Sequence, residues 1–213
     1  MQEINFACLP KTGIGIYEYP SYWAFLEILF KRFNKAGYLV LDAGCGKGGF
    51  LKELREDTYG VGLDIERENV KEAKKGKGLK SRFFVIGDLE YLPFKMETFN
   101  IIFCRNVLEH VKNGEKSINE LTFVLKKKGV ILISTSNLLN PAILLDTLLP
   151  SNVSAKIIKK LGGPEYYERT FRFSPWAIVK KMRENELDVK LVMFGYPSIE
   201  NRGSMIYTTL NLL

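Results

Sequence analysis

Glycines crowd one short segment of the chain, where Gly44, Gly46 and Gly48 alternate after Asp42. An apolar run, Tyr38–Ala43, precedes them and predicts a buried strand, and helical spacing follows them. Glycine lets the backbone turn sharply and lets a ligand approach closely. The N-terminus of the following helix offers free N–H groups to an anionic group. The pattern predicts a nucleotide-like ligand here, although the Gly-Lys-Ser/Thr ending of a Walker phosphate loop is missing. The alternative is a turn that only connects strand to helix.

Two further carboxylates stand where the next two predicted strands end. Asp64 comes eighteen residues after Gly46, near the end of the strand Tyr59–Ile65. A carboxylate there can accept hydrogen bonds from both hydroxyls of a ribose, or it can cap the helix that begins at Glu66. Asp88 ends the third strand and suits the exocyclic amine of adenine. Because ligands of open α/β sheets bind outside the carboxyl ends of the strands, three acids at successive strand ends predict one nucleotide site.

Strands and helices alternate along most of the chain. Strands rich in Val, Ile and Leu, without polar alternation, are typical of a parallel sheet that helices cover on both faces. Only a loop separates the last two strands, so we expect them to be antiparallel. The fold class is therefore α/β, with seven strands in a mostly parallel sheet and an antiparallel last strand. The predicted strands are Tyr38–Ala43, Tyr59–Ile65, Arg82–Ile86, Phe99–Cys104, Val130–Ser134, Val189–Phe194 and Met205–Leu210. The predicted helices of this core are Phe50–Glu56, Glu66–Lys75, Ser117–Lys126 (stopped by Gly129) and Trp176–Glu186.

The length of 213 residues favours one domain. Its predicted parts are an N-terminal helical cap, a ligand-binding core, a substrate or lid insertion, and a C-terminal helix with edge strands, at residues 1–37, 38–136, 137–173 and 174–213. The cap and the insertion carry one predicted helix each, Ser21–Phe33 and Ala142–Leu149. Their aromatic and Arg side chains can build a substrate wall, or merely a satellite hydrophobic cluster. The candidates for substrate contact are Tyr17, Tyr22, Tyr166 and Arg169.

Charge and composition narrow the choice of partners without selecting one. The formal net charge of +7 suits nucleic acid, an anionic membrane or an acidic substrate, and solvated lysines are the plainer explanation. Three scattered cysteines favour a reducing cytoplasm over a disulfide scaffold, and none has zinc spacing, so we expect no metal. No apolar run approaches the roughly 20 residues of a membrane helix, and no signal segment is apparent. We expect a soluble cytoplasmic protein, monomeric or homodimeric, that makes no membrane contact.

Four blocks of sequence resemble the class I S-adenosylmethionine-dependent methyltransferases, especially the group typified by the ubiquinone and menaquinone biosynthesis enzymes. The blocks are Val40–Gly46, Gly60–Asp64, Gly87–Phe94 and Phe99–Val111. The resemblance covers about residues 38–136 and implies a Rossmann-like sheet. It also implies S-adenosylmethionine as cofactor, with S-adenosylhomocysteine as product and no metal.

The resemblance implies a role for each matched residue. The implied cofactor contacts are Asp42, Ala43, Gly44, Cys45, Gly46, Asp64, Ile65, Asp88, Leu89, Arg105 and Asn106. The backbone of the first five would face the methionine part of the cofactor, and Asp64 would hold the ribose hydroxyls. Asp88 would meet the adenine amine, while Leu89 would pack on the ring and offer its backbone N–H. The last two would line the cofactor near the sulfonium.

The single histidine, His110, is the candidate catalytic residue. A general base would suit an oxygen or nitrogen acceptor, and histidine side chains ordinarily titrate near neutral pH. A histidine that caps or packs the following helix remains an open alternative. Cys104 has no nucleophile context and is interpreted as buried packing.

The leading hypothesis is methyl transfer to a small-molecule acceptor by in-line displacement. The Asn/Asp-Pro-Pro-aromatic motif of nucleobase amine methylation is absent after the fourth strand, which disfavours that acceptor. Three alternatives stay open. They are a tRNA or protein acceptor, a cofactor-binding partner protein without catalysis, and an aminopropyl transferase, whose acidic motif is missing here.

Overall fold

One sheet of eight strands runs through the described part of the chain. The computed structural model describes residues 13–16, 36–76, 80–136, 175–194 and 205–211, together with Leu149, Val153 and Lys156. The strands are β1 Gly13–Ile16, β2 Leu39–Ala43, β3 Tyr59–Asp64, β4 Arg82–Ile86, β5 Phe99–Arg105, β6 Leu125–Ser136, β7 Asp188–Phe194 and β8 Met205–Asn211. The helices are α1 Arg67–Lys74, α2 Gly114–Val124 and α3 Pro175–Glu184. The helix predicted over Phe50–Glu56 is a single turn of 3-10 helix, Phe50–Glu53.

The strands lie side by side in the order β1-β7-β8-β6-β5-β2-β3-β4. β8 runs antiparallel to both of its neighbours, and every other neighbouring pair in this sheet is parallel. The predicted α/β class, the mostly parallel sheet and the antiparallel last strand are confirmed. From β2 the chain builds outwards to β3 and β4 on one side and then to β5 and β6 on the other. The strand order therefore reverses between β2 and β5, which is where α/β sheets open a ligand crevice.

The strand count differs from the predicted seven, because β1 adds an eighth strand parallel to β7. The sequence predicts a helical cap over residues 1–37, and the two glycines of Gly-Ile-Gly-Ile argue against a strand there. Main-chain hydrogen bonds to the open side of β7 compensate for this low strand propensity. The rest of that cap, and nearly all of residues 137–173, lie outside the described residues. The predicted helices Ser21–Phe33 and Ala142–Leu149 fall there, apart from Leu149 itself.

Helix α2 begins earlier and ends earlier than predicted. It begins three residues before Ser117, because the side chain of Asn113 accepts a hydrogen bond from Lys116 N at 3.0 Å and caps the first turn. It ends at the residue before Leu125, whose extended backbone starts β6 directly. Gly129, predicted to stop the helix, therefore lies within β6. Strand pairing with β5 overrides the helical pattern of this segment.

Buried side chains pack against both faces of the sheet. Ile102 and Cys104 of β5 belong to one hydrophobic cluster, while Ile101 and Phe103 belong to the other. Successive residues of a strand point to opposite faces, so burial on both faces produces the continuous apolar runs seen in the sequence. Within the ranges that the structure describes, every helix falls short of the length and apolarity needed to cross a membrane.

Candidate functional site

A cleft of about 480 Å³ opens where β2, β3, β4 and β5 end. This volume lies within the range of about 300–1,000 Å³ that is usual for small-molecule and cofactor sites. Nine sequence-predicted residues line it: Gly44, Gly46, Asp64 and Ile65 from the ends of β2 and β3, and Asp88, Leu89, Arg105, Asn106 and His110 from the later strand ends. Three others, Asp42, Ala43 and Cys45, are buried outside the lining. The structure therefore brings most of the predicted site together in one crevice.

The glycine loop follows its path because two glycines adopt a left-handed backbone. The φ angle is 81° at Gly44 and 50° at Gly46, a region that residues with a Cβ rarely enter. A Cβ on Gly44 would lie 2.1 Å from Val107 Cγ2, so this position has no room for a side chain. A Cβ on Gly46 would meet no heavy atom of the described chain within 4 Å. Gly46 thus leaves open space beside the cleft, whereas Gly44 allows close packing of two strand ends.

Asp64 organises the loops on either side of β3. The residue is buried, and its carboxylate Oδ2 accepts a hydrogen bond from Gly46 N at 2.7 Å. Oδ1 accepts from Glu66 N at 2.9 Å and from Asn69 Nδ2 at 3.3 Å, just before and within α1. Glu66 is the N-cap residue of α1, so Asp64 accepts a hydrogen bond from the residue that begins the helix without being its cap. Each carboxylate oxygen has two lone pairs, so these three bonds leave one acceptor site, on Oδ2, for a ligand hydroxyl.

Asp88 stands on the same wall, beyond the end of β4. Its Oδ1 accepts a hydrogen bond from Glu90 N at 2.9 Å, which turns the chain sharply there. The neighbouring Leu89 is buried and offers an apolar surface, while Ile65 is exposed at the cleft. A carboxylate together with apolar side chains suits a flat heterocycle that carries an amine.

Asp42 and Arg105 form an ion pair at the base of the glycine loop. Asp42 is fully buried, and Arg105 Nη2 lies 3.3 Å from its Oδ1 and 3.4 Å from its Oδ2. The guanidinium also lies 4.0 Å from the centre of the Phe50 ring. Burial raises the pKa of Asp42 to about 6, although Arg105 acts in the opposite direction. The ion pair therefore compensates only part of the cost of burying the carboxylate.

Replacing Asp42 with asparagine should flatten the pH dependence of stability. Between the usual pKa of 3.8 and the folded value of about 6, the folded protein holds a proton that the unfolded chain has lost. The neutral carboxyl of Asp42 therefore stabilises the folded protein fully below pH 3.8. This stabilisation is lost as the pH rises through about 6. A shift of two units corresponds to about 3 kcal/mol.

Urea unfolding of the wild type and Asp42→Asn at about pH 4 and about pH 7 measures this difference. The fall in the free energy of unfolding between the two pH values should be smaller in the variant by about 3 kcal/mol. Asp57→Asn, at an exposed carboxylate, serves as the control and should leave the fall unreduced. Parallel profiles for the wild type and Asp42→Asn would contradict the prediction.

The buried thiols near the cleft are poor nucleophiles. Burial, with the nearby carboxylates of Asp42 and Asp64, raises the pKa of Cys45 to about 12. Burial also raises the pKa of Cys104 far above its usual range. Thiolate, the reactive form, is therefore scarce at neutral pH. The interpretation of Cys104 as a packing residue is confirmed, because the side chain is fully buried in the core.

Asn106 and His110 follow β5, the strand next to the one that ends in the glycine loop. Asn106 has a left-handed backbone with φ 54°, and its N donates a hydrogen bond to Ser134 O at 2.8 Å. Asparagine tolerates this region better than most residues. His110 is exposed at the cleft, and its N donates to Val107 O at 2.8 Å. A side chain in this position can reach solvent and the cleft alike.

Sequence reasoning missed Glu90, which connects two loops of the cleft. Its Oε1 accepts hydrogen bonds from Lys112 N at 2.8 Å and from Asn113 N at 2.9 Å. The only local signal was an acid within the matched block Gly87–Phe94. Its partners lie 22 and 23 residues further along the chain, which no local pattern reveals. The proposed substrate contacts Tyr17, Tyr22, Tyr166 and Arg169 lie outside the described residues.

A profile of the family described as "Methyltransferase domain" matches residues 34–173. Among curated relatives, an uncharacterised protein of Methanocaldococcus jannaschii is 41% identical over 113 residues, which is 53% of this chain and 47% of that protein. The ubiquinone biosynthesis O-methyltransferase of Xylella fastidiosa is 33% identical over 120 residues, again 53% and 47% of the two chains. The match thus spans about half the length of these relatives.

Solved structures share the fold at low sequence identity. YcgJ of Bacillus subtilis superposes with a TM-score of 0.69 at 19% identity, over 90% of this chain and 99% of that one. A SAM-dependent methyltransferase of Methanosarcina mazei gives 0.68 at 17% identity, over 93% and 99%. A Haloferax volcanii structure, a complex of the Trm112 methyltransferase activator with a methyltransferase, gives 0.64 at 17% identity, over 89% of each chain.

The fold, the crevice at the strand reversal and the family profile agree with one another. The profile covers the glycine loop and all the strand ends that line the cleft. The strand arrangement is shared with solved structures of the same fold. The chain therefore belongs to the methyltransferase domain family.

Proposed function

We propose that this chain binds S-adenosylmethionine and transfers its methyl group to a small-molecule acceptor. The observation that carries the proposal is the alignment of Gly44, Asp64 and Asp88 at the ends of three adjacent strands around one cleft. Each offers what a different part of the cofactor requires. The chain spans only about half of its curated relatives, so the activity of the whole protein is part of the proposal.

The residues of the cleft fit this cofactor. Gly46 leaves open space where a side chain would obstruct a ligand. Asp64 would accept a hydrogen bond from a ribose hydroxyl through the site left on Oδ2. Asp88 would accept one from the adenine amine, with Leu89 packed on the ring. The chemistry that the bound cofactor supplies is an electrophilic methyl group on a sulfonium.

Calorimetric titration tests cofactor binding directly. The purified chain should bind S-adenosylmethionine and S-adenosylhomocysteine, and it should not bind NAD⁺. Absence of binding to both adenosyl ligands would overturn the proposal. A response to NAD⁺ alone would favour a dinucleotide site instead.

The small-molecule acceptor is supported by the similarity to the ubiquinone biosynthesis O-methyltransferase of Xylella fastidiosa. A tRNA or protein acceptor is the second candidate, favoured by the net charge of +7. Incubation of the enzyme with labelled cofactor and separate cell fractions distinguishes them. Label should appear in the low-molecular-mass fraction. Label in tRNA, accompanied by salt-sensitive tRNA binding, would favour the second candidate.

His110 is proposed as the general base for an oxygen or nitrogen acceptor. His110→Ala should lower kcat for such an acceptor about 100-fold or more, while the affinity for S-adenosylhomocysteine stays the same. Steady-state kinetics on the identified acceptor, together with calorimetry, separates the two effects. Unchanged turnover would show that His110 is not the base.

A further inference from the structure

The side chain of Glu90 joins two walls of the cleft. The residue comes two positions after Asp88, whose Oδ1 accepts a hydrogen bond from Glu90 N at 2.9 Å. Its own Oε1 accepts hydrogen bonds from Lys112 N at 2.8 Å and from Asn113 N at 2.9 Å. Bonds from N–H groups to a carboxylate are roughly twice as strong as bonds between neutral groups. Glu90 thus ties the loop of the acid assigned to adenine to main chain 22 and 23 residues further on.

The main chain that Glu90 holds belongs to the segment that carries His110. His110 stands two residues before Lys112 and lines the same cleft. Next to it, Glu109 is buried, and its Oε2 accepts a hydrogen bond from Thr135 Oγ1 of β6 at 2.8 Å. The segment 109–113 is therefore held at one end to the sheet and at the other end to the adenine wall.

The two attachments differ in their exposure to a ligand. Thr135 is buried, and none of the described residues that line the cleft belongs to β6. Glu90 is half-buried and lines the cleft itself. A ligand held by Asp88 and Leu89 would restrict the loop that carries Glu90. Binding that orders one part of a protein lowers the cost of ordering a part that is fastened to it.

We infer, on the basis of the proposed function, that Glu90 is a positioning residue for His110 and makes the order of the segment 109–113 depend on adenosine bound at Asp88. Glu90 itself has no contact with the reacting atoms in this scheme. In the empty cleft its loop is less restricted, so the same hydrogen bonds hold His110 less firmly. The acceptor side of the cleft therefore becomes ordered when the cofactor is present.

Amide hydrogen exchange at His110, measured by NMR with S-adenosylhomocysteine as the probe, tests this coupling. The amide of His110 donates to Val107 O, so its exchange reports on local opening of the segment rather than on the bonds of Glu90. Saturating ligand should slow this exchange about 5-fold or more in the wild type. The slowing should disappear in Glu90→Ala. Glu90→Gln keeps an acceptor oxygen and should recover most of it.

Glu120→Ala is the matched control. Glu120 Oε2 accepts a hydrogen bond from Leu92 N at 2.8 Å, so this carboxylate holds the same loop, but to α2 rather than to the segment 109–113. The variant should keep the full slowing at His110. Calorimetry sets the saturating concentration for each variant, and circular dichroism establishes that each is folded. Should Glu90→Ala fail to fold, Glu90→Met fills a similar volume without a carboxylate and gives the same comparison.

Each outcome at His110 has a definite meaning. Slowing that is lost in Glu90→Ala and kept in Glu90→Gln and Glu120→Ala supports the inference. Slowing that persists in Glu90→Ala shows that the ligand acts on His110 directly, and an equal loss in Glu120→Ala shows general loosening of the loop. Either result, or bound ligand without slowing in the wild type, overturns the inference while cofactor binding stands. A wild-type chain that does not bind S-adenosylhomocysteine overturns the proposed function instead.

Discussion

Gly44→Ala should destabilise the protein by about 2–5 kcal/mol. The left-handed backbone costs a residue with a Cβ about 1–2 kcal/mol, and forcing an atom into a packed interior costs about 1–3 kcal/mol more. Both costs apply here, because φ is 81° and the new Cβ would lie 2.1 Å from Val107 Cγ2. A change of this size is a large part of the total stability of a typical domain. Urea unfolding followed by circular dichroism measures it.

Gly49→Ala is the matched control, five residues further along the same loop. Gly49 has helical angles, φ −58° and ψ −43°, and no heavy atom of the described chain would lie within 4 Å of its Cβ. Alanine there should be neutral or stabilising by up to about 1 kcal/mol. Gly44→Ala/Val107→Ala removes the two closest contacts and should recover part of the loss. Equal stability of the two single variants would contradict this account of the loop.

Asp64→Ala should weaken the binding of S-adenosylhomocysteine about 10- to 100-fold, because a ribose hydroxyl would lose a charged acceptor. The variant also removes the acceptor of the 2.7 Å hydrogen bond from Gly46 N, so the glycine loop that faces the ligand is held less firmly. Calorimetry measures the affinity, and circular dichroism checks the fold. Asp64→Asn keeps the shape and one acceptor oxygen, and it should bind with intermediate affinity.

Asp57→Asn is the matched control for this prediction, because Asp57 lies before the amino end of the same strand and is exposed. Its affinity for S-adenosylhomocysteine should equal that of the wild type. Wild-type affinity in a folded Asp64→Ala variant would show that this carboxylate does not hold the ribose. If the alanine variant does not fold, the affinity of Asp64→Asn for S-adenosylhomocysteine tests the same assignment.

The strand ends could be predicted from the sequence, because their signal is local. Buried parallel strands are apolar along their whole length, so β2, β3 and β5 were recognisable from composition alone, to within a residue or two at each end. The edge strand β4 was recognisable as well, because four of its five residues are apolar although only Phe84 is buried. Asp64 and Asp88 then follow as polar residues next to these runs. Parallel strands bring their carboxyl ends to one edge, which is why a local pattern predicted a site assembled from distant segments.

Strand β1 could not be predicted in this way. Its four residues have no apolar run of their own, and two of them are glycines. The energy that holds them in the sheet comes from main-chain hydrogen bonds to β7, whose paired residues lie 178 positions further along the chain. Helix α2 shows the same limit, because pairing of Leu125 with β5 ends the helix before its pattern does.

In the glycine loop, some properties follow from the residue types and others only from the tertiary structure. Its residue types determined that the backbone turns after a strand and leaves space for a ligand, since both properties belong to glycine itself. Only the tertiary structure decided that Gly44 must accommodate Val107, that Asp64 restrains Gly46, and that Arg105 meets Asp42. These contacts join residues 18 to 63 positions apart, and strand pairing alone brings such residues within contact distance.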